Sequence, residues 1–521
     1  MKNLFLTFAF CLAFLAGSVS QGETAKFVTY GEHGAVGDGV TDDFAAIIKA
    51  HAAANAAGLP VRAEAGKTYY IGDVRGTAQI QTDTDWTDAK FIIDDSKITI
   101  ENRNAHIFHI SSKLPNTRIT TVSSLKKNQS KLDLTLSQPA LIEVSDNSTR
   151  HFIRLGANQN RGSVQTDIFL VDKEGNVDKS TPIIWDFNTI SSMTARPVDS
   201  ETLTVKGGHF TRIANQAESK YNYYARGISI TRSNVVVDGV YHIVTGEGEH
   251  GAPYSGLIVV SLCTDVLIQN STFSGHKTYS TIGAAGTPVS MGTYDISVNK
   301  ANNVTFKNCK QTNNVHDGRY WGIFGSNFGK NITFDTVEFS RFDAHQGVTN
   351  ATIKNSLLGH QGINLIGHGV FRLENSKVTG GNLINLRSDY GSTFDGEIII
   401  RNSEFLPRNG VQSDAVLIGG SNSGQHDFGY TCYMPRKITI EGLVINDTNH
   451  GSSYQGPKIF ANFNRAYTSE EYVQPFLYVL TEEVIIKDLT IKSGKPLSVS
   501  TNPFMFRNVK VAVHHFPAES L

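Results

Sequence analysis

The sequence predicts an all-β solenoid: a parallel β-helix with an α-helical cap at its N-terminal end and a β-subdomain inserted among its first coils. Three observations carry this. From Val235 onward one short pattern returns, two or three alternating apolar residues and then a polar pair. Ahead of the strand-like sequence lies a helix with its own start and stop signals. Between them a polar stretch breaks the rhythm. These features divide the 521 residues into an N-terminal address at 1–20, a cap with the first coils at 21–115, the insert at 116–222 and the coil proper at 223–521.

The address comes first. Lys2 supplies a positive charge, Leu4–Gly17 (LFLTFAFCLAFLAG) an apolar run, and Ser18-Val19-Ser20 the small residues of a cut before Gln21. This order reads as a secretory signal peptide and places the mature chain outside the cell or in a periplasm. Cys11 lies inside the apolar run without the preceding small residue that lipidation wants. Removing the signal leaves Cys263, Cys309 and Cys432, too few for a disulfide framework. Cys263 and Cys309 each adjoin an apolar β-like run, so they read as small buried hydrophobes. Lys+Arg 47 against Asp+Glu 48 leaves a net charge of −1, which lacks the basic excess a nucleic-acid binder needs. No later apolar run approaches the roughly 20 residues of a membrane-spanning helix. A monomer is expected.

The cap follows. Thr41 reads as an N-cap, with Asp42 and Asp43 placing negative charge in the first turn, where exposed N–H groups favour it. Phe44, Ile47, Ile48 and His51 fall at helical spacing, and Gly58 and Pro60 stop the helix. The string Tyr30–Ile48, with its G-D-G-x-T-D-D-x-x-A-I signature, resembles the opening segment of the pectate-lyase-like superfamily of right-handed parallel β-helices. In that family such a helix closes the open end of the coil. The match covers only the cap. It implies the fold, and it implies a polysaccharide lyase or hydrolase. The aspartates within it read as structural.

The repeat supports the coil independently. It reads VVVDGVYHI at Val235, VLIQNSTF at Val266, VTFKNCKQ at Val304, ITFDTVEF at Ile332, ATIKNSLL at Ala351 and FRLENSKV at Phe371. Units follow at Glu397, Lys437, Glu483 and Phe504. The first five spacings are 31, 38, 28, 19 and 20 residues, a floor with variable excess, as expected when insertions leave a coil as loops. Asn after the apolar residues suits a tight corner, because it tolerates left-handed backbone and stacks in ladders. A sandwich of antiparallel strands would show hairpin turns every 8–12 residues or so and no shared unit. The insert carries strand-like runs such as LDLTLS, HFIRLG, DIFLVD and ETLTVKG.

Equal offsets in successive units should stack about 4.8 Å apart on one face. Nine positions on from each unit start stand Gly275, Asn313, Arg341, His360 and Gly380, and close by lie His276, Lys277, His316, Asp343, His345 and Arg387. Tyr320 and Trp321 flank this column, and aromatic faces pack against sugar rings. Such a cluster suits β-elimination on a uronic-acid polysaccharide. Arg341 would neutralise the carboxylate, assisted by Asn313. His345 or His316 would take the proton, and Tyr320 would protonate the leaving oxygen. Lys277, His276, Trp321, Asp343, His360 and Arg387 would line the chain. No cofactor is expected, and calcium would want more carboxylates than Asp317 and Asp343 provide.

Two alternatives compete. An inverting hydrolase of polygalacturonase-like type would use paired carboxylates and a G-H-G. The chain has Gly367-His368-Gly369, but its adjacent Asp pairs, Asp42-Asp43 and Asp94-Asp95, lie upstream of the repeats. A non-catalytic glycan-binding β-helix would have no reason to gather His, Arg and Lys on one face.

Overall fold

The computed structural model describes residues 26–72, 76–154, 156–322, 324–408, 414–422 and 427–514, so the signal peptide expected at 1–20 lies outside the described residues. The chain winds as a right-handed parallel β-helix whose strands join one 30-stranded sheet. Three walls enclose the core, and the second runs through His209–Ile213, Tyr241–Thr245, Thr272–Phe273, Lys310–Gln311, Glu338–Phe339, Leu357–Leu358, Lys377–Gly380 and Glu404–Pro407. The first is built from the predicted repeat: Leu203–Lys206 pairs in parallel with Val235–Asp238, then Val266–Gln269, Val304–Lys307, Ile332–Asp335, Ala351–Lys354 and Phe371–Glu374. It continues through Ile398–Arg401, Ile438–Glu441, Val484–Lys487 and Val511–His514.

Alternation explains the wall. Val235 and Val237, Val304 and Phe306, Ile332 and Phe334 and their counterparts point inward and are buried. Burial of each such side chain contributes about 1.5–3 kcal/mol, which is why the register holds through coils of unequal length. In the interior, Phe324 stacks on Phe342 with centroids 5.3 Å apart, and Phe334 meets both edge-on.

Asn makes the corner after the first wall, as expected. Asn270, Asn308, Asn355, Asn375 and Asn402 all have positive φ. They stack: Asn270 and Asn308 ladder up from Asp238, and Asn355 and Asn375 from Asp335. A second ladder runs Asp265, Asn303, Asn331, Asn350 on the other side of the wall.

Three expectations need correction. The helix spans Phe44–Ala57, and its N-cap position is Asp43 rather than Thr41. Thr41 ends on a strand and is bound by Asp38, while Asp43 accepts hydrogen bonds from Val36 and Gly37. The cap aspartates thus tie backbone together. Below them Trp86 donates to Tyr30, whose hydroxyl meets His51 at 2.9 Å. Second, the run ETLTVKG is coil, because Leu203–Ile213 pairs in parallel with Thr84–Asp94. The antiparallel strands of the insert fall within Thr117–Pro197, with their own core of Leu125, Ile142, Val144, Phe169 and Phe187. LDLTLS forms no regular strand there. Third, the last rung is Lys510–His514, not the unit starting at Phe504, which makes turns. Cys263, Cys309 and Cys432 are buried free thiols.

The insert is fastened to the coil. Lys330, on the rung beside the Asn ladder, forms a buried ion pair with Asp167 at 2.7 Å. Lys300 reaches Glu143 at 2.9 Å, and Asn331 and Asn350 both donate to Ser180 O. These ties hold the insert against the third wall and form a cleft.

Candidate functional site

The third wall comprises Ile228–Ile230, Ile258–Val260, Ile296–Val298 and Phe324–Ser326, and resumes at Phe342, Ile363 and Ile384. Its outward residues floor a cleft of about 640 Å³. One flank is the loop between the insert strands Ala140–His151 and Ser163–Val171, with Arg154 and Asn158 to Asn160, and the other is the hairpin Tyr279–Met291. Tyr221, Tyr223, Tyr294 and Trp321 supply aromatic surface.

At its centre a polar ladder climbs the wall. Asn299 donates to Ser297 Oγ at 2.9 Å, Asn327 donates to Asn299 at 2.6 Å, and the Oδ1 of Asn327 lies 2.9 Å from Nδ1 of His345. Because the Asn327 amide nitrogen is already donating, its oxygen must accept, so His345 carries its proton on Nδ1. Nε2 is left with a lone pair and has no hydrogen-bond partner among the described residues. Burial, then the nearby guanidinium of Arg387, push the His345 pKa down to about 3. The ring is neutral at ordinary pH.

Two residues earlier on the same strand, Asp343 is fully buried between Arg341 at 2.8 Å and Arg387 at 2.6 Å. Burial opposes its charge, but the two guanidiniums hold it below the usual carboxylate range. Tyr294 donates to Asp343 at 3.2 Å, and burial with that neighbouring charge pushes its pKa up to about 12. Arg387 also binds Asp389, which Arg154 reaches from the insert. Arg154 lies over the Tyr390 ring and leaves its buried Nε without a hydrogen-bond partner among the described residues.

The predicted column is thus only partly assembled. Trp321, His345 and Arg387 line this cleft, with Asp343 beneath. Arg341 is 5% exposed, bound to Asp343 and covered by the Trp321 ring at 4.8 Å, so it is not placed to meet a substrate carboxylate. His316 and His360 line a separate groove. Tyr320 does not line the cleft. Its backbone pairs with Lys277, whose ammonium is spent on Gly248 O. His276 is buried between Asp295 at 3.1 Å and Glu247 at 3.3 Å. Asn313 accepts from the backbone of Gly275.

The register explains the split. Equal offsets hold through the second wall, where Phe339 pairs with Leu358, but then slip: Arg341 pairs with Gly362, not with His360. The neighbouring coil leaves the wall altogether after Gln311 in an excursion to Gly322. Residues of equal offset beyond that point land on different faces.

Sequence reasoning passed over Tyr294, Asn299, Asn327, Asp389 and the insert residues Arg154, Asn158 and Asn160. A signal existed for the Asn pair: 299 and 327 are 28 apart, the same interval as Val304 to Ile332. Asp389 sits two residues from Arg387. Arg154 had none, because the insert shares no register with the coil. Among the described residues no three His, Cys, Asp or Glu side chains converge to hold a metal ion.

The fold defines a parallel β-helix, and solved structures share it. The tailspike of Pseudomonas phage phi297 is similar at a TM-score of 0.58 and 14% identity, over 93% of this chain and 83% of that one. The tailspike of Acinetobacter baumannii bacteriophage AP22, solved in complex with A. baumannii capsular saccharide, is similar at 0.54 and 11%, over 93% and 79%. At these identities the likeness is one of fold. No protein-family model matches the chain, and no curated protein matches it in sequence.

Proposed function

We propose that this chain is an exported, carbohydrate-active member of the pectate-lyase-like superfamily, and that it cleaves an acidic polysaccharide by β-elimination in the cleft between the third wall and the insert. The observation that carries this is the company His345 keeps: a neutral imidazole with a free nitrogen, a protonated phenol and two guanidiniums, with no carboxyl group held protonated. A hydrolase needs a carboxylic acid to protonate the leaving oxygen. Asp343 and Asp389 are both held ionised by arginines. Among the described carboxyl groups, those pushed upward, Asp43 and Asp95, lie elsewhere. The phi297 and AP22 likenesses supply the fold, and the AP22 saccharide complex supports a glycan ligand for such a surface.

The uronate carboxylate would lie against Arg154 and the Asn299–Asn327 amides, which lowers the pKa of the adjacent C5–H. His345 Nε2 takes that proton. The bound carboxylate brings negative charge toward a ring that burial and then the Arg387 guanidinium keep neutral, so the imidazolium becomes favourable as it forms. The C5 electron pair makes the C4–C5 double bond, the C4–O bond breaks, and the leaving oxygen takes the Tyr294 proton. Asp343 suits this role for Tyr294, since it keeps the phenol protonated. The imidazolium proton then returns through solvent to the phenolate.

The test is ultraviolet absorbance of the unsaturated uronate during digestion of polygalacturonate, alginate and chondroitin sulfate. Wild-type protein should raise it on one of them, and Tyr294→Phe and His345→Ala should each lower the rate about 10²–10⁴-fold, the usual worth of a general acid or base. New reducing ends without absorbance would favour a hydrolase, and tight binding without either product a passive glycan binder.

A further inference from the structure

The excursion from Thr312 to Gly322 has two sides. Trp321 faces the cleft, and His316 faces a second groove of about 530 Å³ on the outer surface of the second wall. That groove is built, not incidental. The excursion is clamped to the strand Leu357–Leu365 at one point: both the backbone N–H and Nδ1 of His360 meet Val315 O, at 2.9 and 3.1 Å. The approach is so close that a Cβ on Gly359 would lie 1.9 Å from that oxygen. A carbonyl only accepts, so His360 is protonated on Nδ1 and its Nε2 is an acceptor. His360 is 7% exposed, lines the groove, and its Nε2 is buried without a hydrogen-bond partner. A buried acceptor left unpaired costs about 1–3 kcal/mol, a cost a donor from a ligand would remove.

The rest of the lining suits the same ligand. Gln361, Asn446 and Asn449 provide amides, and Arg408 provides a cation, while no lining residue among those described carries a carboxylate. We propose that this second groove binds a further stretch of the acidic polysaccharide, with a sugar hydroxyl donating to His360 Nε2, so that one chain crosses the excursion and occupies both sites. The proposal rests on the glycan reading of the cleft and adds its consequence: the protein takes long chains and attacks them internally.

Size-graded oligosaccharide ladders of polygalacturonate, alginate and chondroitin sulfate would be titrated against the full chain by calorimetry, and digested in parallel. His360→Asn keeps a donor for Val315 O and deletes Nε2, and Asn449→Ala, on an exposed loop, spares the fold. Affinity of wild-type protein should step up once oligomers are long enough to span both grooves. Each variant should lose about tenfold of the affinity for long oligomers and none for short ones. Affinity independent of length, or variants that bind long oligomers like wild type, would overturn the second groove while leaving the cleft standing. Length-dependent binding without unsaturated product would overturn the lyase reading while upholding the groove. No binding by any ladder would overturn both.

Discussion

At His345 one hydrogen bond decides the chemistry. If Asn327 accepts from Nδ1, the nitrogen facing the cleft is a base, and replacing Asn327 by Asp would hold the ring as imidazolium and remove the base. Asn327→Asp should therefore slow turnover about 10²-fold or more while leaving the fold intact, measured as the initial rate of unsaturated product. His276 provides a prediction of the opposite kind. Burial alone would lower its pKa, but Asp295 and Glu247 overcome that and raise it to about 9. Its folded pKa thus exceeds the unfolded value, so the stability it contributes is fully present below about pH 6.5 and is lost as pH rises through about 9. Denaturant midpoints of the wild type should fall between pH 7 and 10, and His276→Gln should flatten that slope. A wild-type midpoint unchanged over that interval would contradict a charged buried imidazole.

At the level of elements, the ladders and the clamp carry testable weight. Asn331 sits at positive φ, donates to Asn303 and to Ser180 O of the insert, and accepts from Asn350. Asn331→Ala removes these bonds and places a Cβ residue in left-handed backbone, for about 1–3 kcal/mol of destabilisation read as a lower Tm. Gly359→Ala meets Val315 O and should push the excursion off its strand, uncovering Trp321, with a red shift of tryptophan emission as the readout. These elements also show what could be read in advance. The first wall was legible at nearly every rung because its apolar alternation and its corner Asn recur with the coil. The clamp was not, since the excursion follows a wall only to Gln311 and is then fixed by contacts with His276, Lys277 and His360 that share no period with the coil. His360 and Arg341 share a phase on paper, yet the slip between Phe339 and Arg341 separates them in space.

For the whole molecule, the division of labour follows from the solenoid. Each coil buries its side chains against its neighbours, so the outer faces are free to vary, and a site forms where something rises beside a wall. Here the insert does so, held by Lys330–Asp167 and by the Asn ladder, and it brings Arg154 opposite His345 and Tyr294. That arm of the site was invisible in sequence because the insert has its own core and no shared period. Cleavage in water enriched in heavy oxygen, followed by mass spectrometry of the fragments, tests the central claim most directly. Elimination predicts fragments without label, each new non-reducing end one water lighter than a hydrolytic end, and none formed by Tyr294→Phe at the wild-type rate. Label entering the reducing ends, or no cleavage of any acidic polysaccharide, would contradict it.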